Sequence, residues 1–120
     1  MFRIMCSAKI HNAIVTKTKL DYAGSITIDK ELLQEVGILP GERVEIFNLN
    51  NGARFSTYTI SGELASGEIC VNGAAARLVQ VGDRIIIIAY SFVSGEEAEG
   101  FRKKVISIKS SNRIFEKVET

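Results

Sequence analysis

At 120 residues and 13.2 kDa the chain is sized for one domain, 1–120, with little room for a second. Its 46% hydrophobic and 24% charged content excludes a disordered or collagen-like chain. Fifteen basic against fourteen acidic residues leave a net charge of +1, too small an excess for a protein built to grip phosphate backbones, so no nucleic-acid partner is expected.

Strand signals dominate the chain from its start. Residues 2–10 and 13–18 form two strand-like runs, followed by the Gly24-Ser25 turn. Asp29 then caps a helix whose apolar stripe is Leu32, Leu33 and Val36, with Gly37 at the C′ position and Ile28 stapled to Leu33. Pro40-Gly41 turns the chain into Arg43-Val44-Glu45-Ile46-Phe47-Asn48-Leu49, and Asn50-Asn51-Gly52 marks a hairpin to Arg54-Phe55-Ser56-Thr57-Tyr58-Thr59-Ile60. Further strands are expected at 68–71, 84–93 and 104–109, with a second short helix at 74–79. Ile85 to Ile88 show no alternation, which reads as a strand buried on both faces. Many short strands with one or two short helices in this length suggest a closed, mainly β barrel. The apolar run from Ile85 to Tyr90 is too short to span a bilayer, and Arg3 and Lys9 interrupt any signal-peptide core. Cys6 and Cys70 lie far apart with no Cys-x-x-Cys pair and one histidine, His11, so a zinc site is not expected. Two lone thiols fit a reduced compartment, and the expectation is a cytoplasmic protein with no membrane partner.

Four features could carry chemistry, and each also has a plain structural reading. Lys9 and His11 project from one face of a strand, as do Arg54 and Tyr58. An Arg beside a Tyr can bind a carboxylate and deliver a proton, or be a surface charge beside a cross-strand aromatic. Asn72-Gly73-Ala74-Ala75-Ala76 leaves backbone N–H groups open to an anion, or is a tight turn with packed alanines. Gly24-Ser25 is a turn unless Gly24 is strained; then the Ser25 hydroxyl can attack the Gly24 carbonyl and exchange the amide for an ester. That shift needs a donor near the Gly24 oxygen more than a strong base.

Together these segments resemble the bacterial aspartate 1-decarboxylase family of pyruvoyl enzymes. The resemblance lies in residues 5–11 (MCSAKIH), 21–29 (DYAGSITID), 51–60 (NGARFSTYTI), 71–76 (VNGAAA) and 81–88 (VGDRIIII), in family order up to roughly residue 93. Phe47 stands where relatives often carry Trp, which keeps an aromatic wall and loses an indole N–H.

The resemblance implies a double-psi β-barrel that assembles as a homotetramer with active sites between subunits. It implies self-cleavage at Gly24–Ser25 into chains 1–24 and 25–120, the longer beginning with a covalent pyruvoyl group made from Ser25. A Schiff base to that ketone would supply the electron sink for converting L-aspartate to β-alanine and CO₂, a step toward pantothenate. By the same resemblance Thr57 hydrogen-bonds the Gly24 carbonyl during processing, Lys9 and Arg54 bind substrate carboxylates, and Tyr58 donates the proton that replaces CO₂. Asn72, Gly73, Ala74 and Ala75 line the pocket, with Tyr22 and His11 close by. Maturation without help and maturation by a helper protein are both open.

On strand parity Thr57 faces away from Arg54 and Tyr58, so a bulge intervenes or the two faces serve different subunits' sites. The expectation is an inter-subunit site. Residues 33–46 (LQEVGILPGERVEI) also resemble swapped-hairpin, AbrB-type DNA-binding proteins, which would make the chain a dimeric regulator. That reading leaves Gly24, Ser25, Arg54, Thr57, Tyr58 and Asn72 without a role.

Overall fold

In the computed structural model, which describes residues 1–119, the strands are β1 (Phe2–Ile14), β2 (Lys17–Lys19), β3 (Ile26–Asp29), β4 (Arg43–Asn48), β5 (Arg54–Gly62), β6 (Ile69–Asn72), β7 (Arg84–Ser94), β8 (Lys104–Ile108) and β9 (Phe115–Val118). Helices α1 (Lys30–Val36) and α2 (Gly95–Ala98) and a 3-10 helix at Gly73–Leu78 complete the elements. The mainly β reading holds. The second helix expected at 74–79 is that 3-10 segment; α2 and β9 were not foreseen.

All nine strands join one sheet in the order β2-β6-β3-β5-β4-β7-β1-β8-β9. In a flat sheet six strand spacings, about 29 Å, would separate β1 from β2. Only Val15 and Thr16 connect them, a reach of about 11 Å. The sheet is therefore rolled on itself, as a double-psi β-barrel requires, and β8 and β9 extend from β1 beyond the closure. Thr16 fastens the seam: its backbone N–H and its hydroxyl both donate to the Ile69 carbonyl, at 2.9 and 3.0 Å.

Side chains alternate across each strand, so the roll has an inner and an outer face. Inside lie Ile10, Ile26, Ile28, Ile46, Ile69, Ile85, Ile87 and Ile106, all fully buried. The isoleucine run alternates within this frame: Ile85 and Ile87 face the core, Ile86 is half-buried on the outer face, and Ile88 is buried beside Lys9 and Glu45. The two strands expected at 2–10 and 13–18 are instead β1, continuous to Ile14, plus β2. Asn12 takes the left-handed φ of 66° in a register shift between Ile10 and Ala13, which bends the strand without ending it.

The helix α1 forms as its signals predict. Gly37 closes it at φ 75° with its N–H on the Leu33 carbonyl, and Ile28 and Leu33 are buried together. Asp29 does more than cap. Its Oδ1 accepts from the N–H groups of Glu31 (2.9 Å) and Ala65 (2.8 Å), and Oδ2 accepts from Gly67 (2.8 Å), so one fully buried carboxylate ties α1 to the turn after β5. Asp29→Ala strands three donors and is expected to cost about 3–5 kcal/mol, read as a lowered urea midpoint with unchanged slope.

Candidate active site

The 22–25 loop enters β3 under strain. Gly24 has φ 138° and Ser25 has φ 93°, a conformation that costs a residue with a side chain about 1–3 kcal/mol. Ser25 is held there by β6: its carbonyl accepts from the Asn72 N–H at 2.9 Å, and its hydroxyl oxygen accepts from Asn72 Nδ2 at 3.0 Å. Both side chains are almost wholly buried. Gly73, at φ 76°, lets the two segments meet. A Cβ there would lie 2.8 Å from the Gly24 nitrogen and Cα and 2.9 Å from the Tyr22 carbonyl oxygen, so any side chain must displace the loop.

Two residues that sequence reasoning missed complete this cluster. Thr27 Oγ1 accepts a second bond from Asn72 Nδ2 at 3.1 Å, and the Cys70 thiol donates to Asn72 Oδ1 at 3.2 Å. Thr27 pairs directly with Cys70 across the antiparallel β3–β6 ladder. The available signal was spacing, since Thr27 stands two residues from Ser25 and Cys70 two from Asn72, each on its neighbour's face.

Across the other edge of β3, the parallel register sets Ile26 opposite Thr59. The ladder starts at that pair, so Ser25 and Gly24 precede it in chain order just as Tyr58 and Thr57 do. The β4–β5 ladder runs from Phe47↔Arg54 to Arg43↔Tyr58 without a shift, so no bulge reconciles Thr57 with its neighbours. Phe55 and Thr59 face inward; Arg54 and Tyr58 are exposed on the outer face. Thr57 is half-buried, and neither its hydroxyl nor that of Tyr58 has a side-chain hydrogen bond among the described residues. Arg54 stacks on Phe47, its guanidinium carbon 3.8 Å from the ring centre, in a shallow 570 Å³ depression shared with Ile4, Glu45, Ser56 and Tyr90. Ala74 and Ala75 lie in the 3-10 helix beyond Gly73, Ala74 exposed and Ala75 packed on the core. Tyr22 is partly exposed with Lys19 Nζ 5.4 Å from its ring centre.

Lys9 is also on the outer face, between buried Ala8 and Ile10, but paired with Ile88 of β7. Its strand pairs with β7 and β8 and is not a neighbour of β3, the strand that Ser25 enters. His11 shares that strand: burial first, then the positive charges of Lys9 and Arg84, hold its imidazolium below the ordinary value of 6.5. The folded chain thus resists protonating His11 while the unfolded chain does not, so the contribution of His11 to stability is full well above pH 6.5 and falls as pH drops through it. His11→Gln is expected to flatten that decline, measured as urea midpoints at pH 7 and pH 5. Among the described residues no three of His, Cys, Asp and Glu are grouped as metal ligands would be.

The model of the aspartate decarboxylase family matches residues 1–115. The chain is 57% identical to the aspartate 1-decarboxylase of Thermoanaerobacter pseudethanolicus over 94% of its own length and 97% of the relative's. It is 54% identical to that of Bacillus subtilis, over 95% and 90%, and 52% identical to one from Staphylococcus aureus, over 98% and 93%. Residues 33–46, which also resemble swapped-hairpin DNA-binding proteins, lie inside this match and run from the end of α1 into β4. With the family covering nearly the whole sequence and its Gly24-Ser25 pair strained against Asn72, the chain belongs to the aspartate decarboxylase family.

Proposed function

We propose that the chain cuts itself between Gly24 and Ser25 and then decarboxylates L-aspartate at C1 to give β-alanine and CO₂. The observation that carries this is the buried, strained Gly24–Ser25 bond with the Asn72 amide on the Ser25 hydroxyl oxygen. The Ser25 oxygen attacks the Gly24 carbonyl carbon; the C–N bond breaks, the nitrogen takes the hydroxyl proton, and an ester links the two halves. Breaking the amide releases the strain of the positive-φ pair, which offsets part of the cost of forming the less stable ester. Loss of the Ser25 Cα proton then expels Gly24 as a carboxylate and leaves dehydroalanine. Water converts this to a ketone with release of ammonia. Such a pyruvoyl group, once formed, supplies the electron sink that amino-acid decarboxylation requires.

The residues around it fit a dicarboxylic amino acid. Arg54 and Lys9 offer two cations for two carboxylates, and the Phe47 ring fixes the plane of the Arg54 guanidinium. Tyr58, exposed on β5 next to the strand that Ser25 enters, can hand its phenolic proton to the substrate carbon that loses CO₂. Lys9 stands on β1, which pairs with β7 and β8 and not with β3, and in this reading it acts from a neighbouring copy. That reading carries a homotetramer with sites between subunits; full activity in a monomeric preparation would overturn that part. Among the described residues no helix is long and apolar enough to cross a membrane.

The intact mass under denaturing conditions tests the reading. Two fragments are expected, the smaller of about 2.6 kDa in proportion to its 24 of 120 residues. The larger should weigh one ammonia less than a plain Ser25-ended fragment. A chain that stays whole on prolonged incubation, alone and with a lysate able to supply a helper, would overturn it.

A further inference from the structure

We propose that Cys70 is a positioning residue for self-cleavage, its thiol fixing the Asn72 amide so that the NH₂ group, and not the oxygen, faces Ser25. The inference rests on the self-cleavage reading above and assigns a role to a buried group which that chemistry does not otherwise use.

An asparagine side chain can present either end of its amide, and the choice at Asn72 decides what Ser25 can do. With Nδ2 toward Ser25, the hydroxyl oxygen accepts a proton it does not own. Its own hydrogen stays free to pass to the departing nitrogen, and one lone pair stays free to attack the Gly24 carbonyl. The same N–H later faces the ester oxygen that leaves with Gly24, where negative charge collects. Turned over, the amide would set Oδ1 against both the Ser25 and Thr27 hydroxyls. The Ser25 hydrogen would then be held by that oxygen and withheld from the nitrogen. The two hydroxyls can satisfy either orientation, because each can donate or accept, so Ser25 and Thr27 do not make the choice.

Cys70 makes it. Its sulfur lies 3.2 Å from Asn72 Oδ1, which is its one side-chain hydrogen bond among the described residues, and it is 3% exposed. A protonated thiol there is a donor and selects the oxygen end of the amide. Burial, reinforced by the Glu68 carboxylate and opposed by Lys17 and Lys19, pushes the thiol up from its ordinary value, so the donor proton is retained at neutral pH. The ladder supplies the alignment. Thr27 is opposite Cys70, the Asn72 N–H bonds the Ser25 carbonyl, and all four side chains share one sheet face between β3 and β6.

The test follows cleavage of freshly made precursor by intact mass, beside thermal melting of each variant. Cys70→Ser keeps a donor and is expected to cleave within about threefold of the wild-type rate. Cys70→Val removes the donor and adds about a methyl group of bulk; about tenfold slower cleavage is expected, the effect of one lost side-chain hydrogen bond, with a melting point lowered by several degrees because Asn72 Oδ1 loses its donor. Because Cys70 acts through Asn72, Cys70→Val should add no further slowing in an Asn72→Ala background. Wild-type cleavage in Cys70→Val, equal slowing in the Ser and Val variants, or additive slowing with Asn72→Ala would each overturn the proposal. An intact wild-type chain would instead defeat the self-cleavage reading, and shows before any variant is made.

Discussion

Ser25→Ala is expected to remain one chain of full mass and to decarboxylate aspartate more than about 10⁴-fold more slowly than the matured protein. On the proposed reading the substitution removes the oxygen that is both the nucleophile of the acyl shift and the leaving group of the elimination that precedes the ketone, so both steps fail together. No neighbour can substitute. Thr27 carries the nearest hydroxyl on the strand, but it follows Ile26 in regular ladder geometry and has no strained bond before it. The fold should survive. Asn72 Nδ2 keeps Thr27 Oγ1 as an acceptor, and the backbone bond from Asn72 to the residue 25 carbonyl needs no side chain. Alanine at φ 93° is no more strained than serine there. Intact mass, a melting curve and β-alanine formation read the three consequences separately. Cleavage at this bond in the alanine variant would show that the hydroxyl is not the attacking group.

Local rules carried much of the fold, and they fail at identifiable places. Asp29, Leu32, Leu33, Val36 and Gly37 announce α1 because capping and the apolar stripe act within one or two turns. The Asn50-Asn51-Gly52 hairpin is equally local. Asn12 misled because a left-handed residue in the middle of β1 looks like a strand end, and only the partners in β7 and β8 show that the ladder continues. The segment Phe115–Val118 carries weak strand signals and becomes β9 by pairing with the edge of β8. The site divides in the same way. Gly24-Ser25 and the Arg54 to Tyr58 run are visible as words in the sequence. The partnership of Ser25 with Asn72 and Cys70 joins residues more than forty positions apart, and it exists only because β3 lies between β5 and β6. Parity alone raised the Thr57 problem; the unshifted β4–β5 register excludes a bulge in that ladder and leaves Thr57 and Tyr58 on opposite faces.

That division makes Tyr58→Phe the most informative single change at the site. The variant precursor is expected to cleave at the wild-type rate and then to decarboxylate about 10²–10⁴-fold more slowly, the range for losing a positioned general acid. Tyr58 is 45% exposed on the outer face, and its hydroxyl has no side-chain partner among the described residues. Phenylalanine therefore keeps the ring and leaves no buried group unsatisfied, and stability should change by less than about 0.5 kcal/mol. On the proposed reading, processing draws on other atoms: Gly24, the Ser25 hydroxyl, the Asn72 amide, and Thr57 on the other side of the same strand. The phenol is needed only once a substrate carbon must be protonated after CO₂ has left. Mass analysis and CO₂ release on one sample separate the two duties. Full turnover would remove Tyr58 from the proton transfer, and failed cleavage would mean that the outer face also takes part in making the ketone.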